Sequence, residues 1–352
     1  MNGAESLVRT LLAGEVDVCF TNPGTSEMHF CAALDKIDGM HCVLCLFEGV
    51  VTGAADGYGR MSDKPASTLL HLGPGLGNGL SNLHNAKKAR TPIVNIVGEH
   101  ATYHVAYDAP LTADIEGIAR PVSDWVRTSA DSKSVASDAA QAIAAARTHP
   151  GAISTLILPA DTAWTDAASV ATVPTRENPE TVSEAAVENC TQALQSGEPA
   201  MLLLGGRALR APTLENASRI ALHSNAAMRS ELMSARTERG AGRVGIERIP
   251  YVVDEAVKVL DGIRHLILVG AKVPVAFFAY PDKPSLLIPQ DCEVHVLATA
   301  EQDIAGALDR LSDSVGAQSR LPDLESAKRP ELSSGELTLE AVWAGVGHFL
   351  PE

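Results

Sequence analysis

Short apolar runs alternate with segments of helical period along most of the chain. Leu7, Val8, Leu11 and Leu12 share one helix face, and Gly14 ends that helix. Residues 16–20 then predict a strand. Ser26 is placed to cap a helix reaching Lys36, with Gly39 just beyond it. Further strands are predicted at 42–47, 66–72, 93–97 and 153–158, and an alanine-rich helix at 137–147. Strands separated by helices imply a parallel sheet covered on both faces. Ligands of such sheets bind at the carboxyl ends of the strands.

The periodic pattern lapses between 165 and 183, where Pro174 and Pro179 mark a linker. A second α/β unit follows. Residues 201–206 and 265–271 are apolar strands that end in small residues. Between them, residues 237–243 form a glycine- and arginine-rich stretch. It reads as a surface turn in preference to an anion site, because no phosphate-loop motif accompanies it. A further linker is expected at 319–335, and then a helix over 337–350. The predicted organisation is a domain at 1–165, a linker at 166–182, a Rossmann-like domain at 183–318, a linker at 319–335, and at 336–352 the entry to a further domain. The fold class is α/β, with two doubly wound parallel-sheet domains.

Composition narrows the function classes. The 352 residues carry a net charge of −15, which argues against a general nucleic-acid surface. No apolar stretch has the length of a membrane span. The amino terminus lacks a basic region followed by an apolar core, so no secretory leader is expected and a cytoplasmic location follows by default. Of the six cysteines, Cys42 and Cys45 have metal or redox spacing. They fall in a predicted buried strand without a second pair, and structural roles are favoured.

Three strand ends within the first eighty residues carry polar groups. The first is Asn22-Pro23-Gly24-Thr25. The second is Glu48, a single carboxylate delivered by an apolar run and followed by the small residues of Gly53-Ala54-Ala55. Apolar neighbours make a carboxyl hard to ionise and so suit it to proton transfer; a helix N-terminal glutamate favoured by the macrodipole is the alternative. The third is His71, directly before Gly73-Pro74-Gly75 and Asn78, expected as a strand, a glycine loop and then a helix. Histidine is the commonest acid/base residue, which favours a site role over the alternative of a core histidine bonded to backbone. The glycines at 73, 75, 77 and 79 miss the dinucleotide spacing, because Asn78 stands at its last position.

In this order Asn22-Pro23-Gly24, Glu48 with Ala54-Ala55-Asp56-Gly57-Tyr58, and Gly73-Pro74-Gly75 with Asn78 resemble the pyrimidine-binding domain of thiamine diphosphate enzymes. The branch resembled is that of acetolactate synthase, benzoylformate decarboxylase and glyoxylate carboligase. The resemblance covers residues 1–165 well and 183–318 more loosely.

The resemblance implies a lyase or carboligase acting on a 2-keto acid, with thiamine diphosphate and Mg2+ as cofactors. Glu48 matches the glutamate that shares a proton with the cofactor's aminopyrimidine ring. His71 matches a histidine that serves as acid/base toward substrate in the decarboxylase-like members. Thr25 matches a substrate-contacting serine, although an N-cap role is open to it or to Ser26. Pro23, Gly24, Gly75 and Asn78 are implied to meet the cofactor. Some relatives bind FAD in the second domain, so FAD is possible but not expected. The family's metal ligands lie in a Gly-Asp-Gly motif and a later asparagine. No Gly-Asp-Gly occurs in these residues. The chain is therefore expected to lack the diphosphate- and Mg2+-binding domain, as a fragment or a split subunit, and to assemble as a homodimer or homotetramer. A non-catalytic assembly or regulatory protein with the same fold is the alternative. Decarboxylation and carboligation both stay open.

Overall fold

The computed structural model describes residues 1–167 and 169–350, which divide into two compact units, Met1–Glu180 and Thr181–Glu352. The first unit runs α1 (Gly3–Ala13), β1 (Val18–Asn22), α2 (Met28–Lys36), β2 (His41–Leu44), α3 (Glu48–Ser62), β3 (Ala66–Leu70), α4 (Leu72–Ala89), β4 (Ile93–Glu99), α5 (Ile115–Ala119), β5 (Trp125–Thr128), α6 (Val135–Ala146), β6 (Ile153–Pro159) and α7 (Ala160–Trp164). All pairings in its six-stranded sheet are parallel, in the order β2-β1-β3-β4-β6-β5.

The central strands β3, β4 and β6 are buried along their whole length, as expected of parallel strands covered on both faces, and their buried Thr68, Asn95 and Thr155 bond one another across the sheet. Alternate residues serve opposite faces of the sheet. Leu69, Ile96 and Leu156 pack with α1, α2 and α6. Leu70, Val97 and Ile157 pack on the other face with α3, α4 and α5. Asn2 caps α1 by accepting from the Glu5 N–H at 2.9 Å, and Gly14 closes its far end. The proline-containing stretch after α7 is tied back to α1, where Ser6 Oγ donates to the Ser169 carbonyl and the Ala171 N–H donates to Thr10 Oγ1.

Strand β2 corrects the sequence reading. It stops at Leu44 and lies at the sheet edge, with His41, Cys42 and Leu44 exposed. An apolar run does not distinguish a buried strand from an edge strand when one flank is open. Cys42 is accordingly exposed while Cys45 is buried, and all six cysteines are free thiols. β5, half-buried and only four residues long, left no apolar run to find.

The second unit contains α8 (Glu184–Gln195), β7 (Ala200–Leu204), α9 (Ala211–Ser224), β8 (Ala227–Ser230), α10 (Val253–Leu260), β9 (His265–Val269), β10 (Glu293–Ala298), α11 (Ile304–Val315) and α12 (Leu339–Phe349). Its parallel sheet has the order β10-β9-β7-β8. Residues 240–243 form an exposed surface turn, with Gly240 and Gly242 at φ +111° and +72°, while Glu238 before it is half-buried and accepts from the Ala211 N–H at 2.9 Å. No helix among the described residues is long and apolar enough to cross a membrane.

Candidate active site

In the first unit, β2 and β3 both neighbour β1, on opposite sides. The crossover direction reverses there, which makes the carboxyl ends of β1 and β3 the topological switch point where such sheets bind ligands. Three segments meet at that edge.

The first segment places Glu48. Asn22, the last residue of β1, donates from Nδ2 to the Cys45 carbonyl at 2.7 Å, and the Cys45 N–H donates to the Thr21 carbonyl at 2.9 Å. These bonds pin residues 45–47 as a bridge from the edge strand to α3. Glu48 is the first residue of α3 and is 9% exposed. Its Oε2 accepts from Asn78 Nδ2 at 2.9 Å. A Cβ on Gly75 would lie 3.2 Å from Glu48 Oε1 and 3.3 Å from His71 Cβ. The bare backbone of Gly75 is thus the wall that both side chains share, and its lack of a side chain keeps that space open. Helices α3 and α4 are bound together beside it. Thr52 Oγ1 donates to the Gly79 carbonyl at 3.0 Å, and Asn82 Nδ2 to the Gly49 carbonyl at 2.6 Å.

The glycines after His71 do not form the expected loop. Helix α4 begins at Leu72, so Gly73, Gly75, Gly77 and Gly79 lie within it and Asn78 stands in its second turn. Pro74 is tolerated because first-turn N–H groups have no intrahelical partner. The Gly75 N–H makes the helix's opening bond, to the His71 carbonyl at 2.8 Å. Leu72 enters the helix at φ +49°, which a leucine avoids at a cost of about 1–2 kcal/mol. Its complete burial in the α3/α4 core recovers roughly 1.5–3 kcal/mol, enough to hold the bend. That bend turns the chain from strand to helix at His71, whose backbone is still extended.

His71 is paired with a residue the sequence reading passed over. Its Nδ1 lies 2.8 Å from Glu27 Oε2, and Glu27 is 3% exposed. The same Oε2 accepts from the Gly24 N–H at 2.8 Å, and Oε1 accepts from Ser26 Oγ at 2.6 Å. A carboxylate accepts, so this contact favours a hydrogen on Nδ1 and leaves Nε2 as the ring nitrogen not engaged by Glu27. Two glycines make room for the dyad. A Cβ on Gly24 would fall 2.3 Å from His71 Nδ1, and one on Gly98 would fall 1.6 Å from Glu27 Oε1. Glu27 therefore fixes the tautomer and orientation of His71. If His71 acts as an acid/base, replacing Glu27 with Gln is expected to lower kcat roughly tenfold or more, part of the roughly 100- to 10,000-fold a placed acid/base supplies. KM should change little. Nitrogen-15 shifts of the His71 ring check the cause: Nδ1–H alone in the wild type, a tautomer mixture in the variant.

The other expected site residues divide. Gly24, Gly75 and Asn78 join Glu48 and His71. Pro23 is half-buried in the turn after β1. Thr25 is exposed and opens a single 3₁₀ turn that runs to Glu27. Neither Thr25 nor Ser26 caps α2, whose N-cap is Glu27; Ser26 serves the dyad instead. Asp56, part of the motif after Glu48, is structural. It accepts from Arg60 Nε at 2.8 Å and from Thr91 Oγ1 at 2.6 Å, holding α3 to the start of β4. Glu99 ends β4 next to Gly98, and burial pushes its carboxyl above the ordinary range against a 2.7 Å bond from the His100 N–H.

Beside Glu48 lies an open groove of about 520 Å3, lined by Phe47, Val50, Gly53, Ala54, Asn78 and Asn82 among others. Phe47 and Val50 in its lining are 50% and 55% exposed, and Leu44 and Leu46 just before them in the chain are 68% and 92% exposed.

Glu48, His71 and Glu27 thus meet at the switch point of a doubly wound parallel sheet, the place where α/β domains of this class bind ligands. Residues 1–118 match the family model described as "Thiamine pyrophosphate enzyme, N-terminal TPP binding domain". A Mycobacterium tuberculosis protein provisionally named acetolactate synthase large subunit IlvX is 51% identical over 353 residues, covering 100% of this chain and 67% of the relative. Benzoylformate decarboxylase of Pseudomonas aeruginosa is 33% identical over 143 residues, 40% of this chain and 27% of that protein. The chain belongs to the thiamine pyrophosphate enzyme family. It spans about two thirds of the length of the M. tuberculosis relative. Solved structures agree on the fold. An enzyme from Mycobacterium smegmatis, provisionally described as thiamin diphosphate-dependent, superposes with a TM-score of 0.84 at 21% identity, over 100% of this chain and 71% of that one. Benzoylformate decarboxylase from Polynucleobacter necessarius gives 0.80 at 21% identity, over 97% and 67%.

Proposed function

We propose that this chain supplies the pyrimidine-binding half of a thiamine diphosphate-dependent lyase or carboligase for 2-keto acids. The observation that carries the reading is the buried Glu48 carboxylate at the sheet's switch point, facing the bare Gly75 backbone and held by Asn78. The donor set fits the cofactor's aminopyrimidine ring: a carboxylate to exchange a proton with a ring nitrogen, an open backbone wall and apolar neighbours. When bound, the cofactor supplies a carbon nucleophile and an electron sink for the substrate's carboxylate-bearing carbon. Glu48 holds and returns a proton at the ring nitrogen. Asn78 keeps one carboxylate oxygen occupied and so orients the other. His71 Nε2, freed by Glu27, accepts or donates a proton at the substrate.

We place the Mg2+ ligands outside these residues, since the family's Gly-Asp-Gly is absent from them. The active assembly is then this chain together with a diphosphate-binding domain. The exposed Leu44, Leu46, Phe47 and Val50 beside Glu48 support a homodimer formed through this face, since uncovered apolar patches next to a site mark interaction surfaces. The 352-residue chain alone is expected to sediment as a dimer and to bind thiamine diphosphate weakly in calorimetry. Joined to the metal-binding domain it should bind tightly with Mg2+ and release carbon dioxide from a 2-keto acid. Tight Mg2+-dependent binding by the chain alone would place the metal site within it. No turnover by the joined protein on any 2-keto acid would favour a non-catalytic role.

A further inference from the structure

The second unit carries a cluster of ligand-type side chains that the proposed reaction does not use. His265 opens β9 and Glu293 opens β10, and the parallel register pairs them directly. His295 lies two residues beyond Glu293. Period two puts it on the same face of the sheet. His265 Nδ1 and His295 Nε2 are 3.1 Å apart, and Glu293 Oε2 lies 3.8 Å from the first and 3.9 Å from the second. One ligand atom from each of the three lies within 4.8 Å of the others.

Two features go beyond a chance grouping. Glu293 Oε2 is too far from either ring for a hydrogen bond, yet nearly equidistant from both. Ligand atoms bound to a tetrahedral Zn2+ at about 2.0–2.1 Å lie about 3.3 Å apart, so a shift of about half an ångström at the exposed Glu293 closes the triangle. The second feature is the outer partner. His265 Nε2 lies 3.1 Å from Glu198 Oε2, and His265 is 8% exposed. Glu198 is held in place because the Pro199 carbonyl accepts from the Arg264 and His265 N–H groups at 2.8 and 3.2 Å. A carboxylate on Nε2 sends the Nδ1 lone pair inward toward His295, which is how metal-binding histidines are oriented. Arg264 is engaged by Asp291 and by Glu198, so the charged groups around the cluster are net negative.

We propose that His265, His295 and Glu293 bind a divalent transition cation that ties the amino ends of β9 and β10 together, with Glu198 positioning His265. Two imidazoles and a carboxylate suit zinc-like ions over Mg2+ or Ca2+, which prefer all-oxygen sites. This assignment does not rest on the thiamine diphosphate reading, and its test does not use turnover.

The experiment titrates the chelator-stripped 352-residue chain with Zn2+ against a chromophoric chelator. One Zn2+ per chain is expected, with two imidazole nitrogens in its X-ray absorption spectrum. Glu198→Gln should weaken binding about 10- to 100-fold, as loss of an outer partner does, and His295→Gln should weaken it more. Glu293→Gln, at an exposed position, is expected to keep the fold by circular dichroism and still lose at least about tenfold. A Cys42→Ser/Cys45→Ser variant should bind Zn2+ as the wild type does. Absence of one-to-one uptake, or unchanged affinity in either His295→Gln or Glu293→Gln, overturns the proposal.

Discussion

Replacing Glu48 by Gln is expected to lower turnover of the active assembly about a thousandfold, within the 100- to 10,000-fold range of a placed acid/base. The amide has nearly the same shape. Its oxygen still accepts from Asn78 Nδ2, which lies 2.9 Å from the carboxylate. What it cannot do is take and return a proton. The stability cost should be small. Glu48 opens α3, where its negative charge favours the helix dipole by about 0.3–1 kcal/mol, against the roughly 5–15 kcal/mol that holds a domain folded. The fold and the defect therefore separate cleanly. Circular dichroism and the melting temperature should change little, while hydrogen–deuterium exchange at the cofactor's thiazolium C2 falls with turnover. Unchanged exchange in the variant would remove Glu48 from the role assigned to it.

How much of this site the sequence discloses follows from what makes each part visible. Central strands β3, β4 and β6 are buried on both faces and rich in apolar residues, and His71 is legible as the polar residue after β3. Glu48 is legible as the carboxylate that closes the apolar run at 43–47, although that run belongs to the edge. β2 misleads because an edge strand with an apolar open flank looks the same in sequence as a buried one, although Leu44 and Leu46 are exposed. The glycines at 73–79 suggest a loop by composition. They are helical because a buried Leu72 holds the bend and a proline fits the first turn. Glu27 leaves little signal. Its partner His71 is 44 residues away, and the space it occupies is set by Gly98 on a different strand. An acidic residue in a turn ordinarily reads as solvated. The available clue was Gly24 three residues earlier, whose N–H donates to the Glu27 carboxylate. The second unit's histidine cluster is similarly hidden, since it depends on the register between β9 and β10 and not on any local spacing.

His71→Ala is expected to slow decarboxylation about a hundredfold or more, with cofactor affinity held within a few-fold. The dyad explains why the loss should fall on chemistry. Glu27 retains two donors without the ring, the Gly24 N–H at 2.8 Å and Ser26 Oγ at 2.6 Å, so the buried carboxylate is not orphaned. The His71 side chain is about a quarter exposed, so its removal does not hollow the core. The alanine does leave space above Gly24, and a companion variant controls for it. His71→Gln presents an amide N–H that Glu27 can accept, while its side chain cannot exchange a proton at neutral pH. If His71 is the acid/base, Ala and Gln variants should be similarly slow in single-turnover carbon dioxide release, and both should bind thiamine diphosphate with Mg2+ nearly as the wild type does. If His71 only packs the turn, Gln should restore most of the rate. Normal rates with weakened cofactor binding in both variants would instead make His71 a cofactor contact.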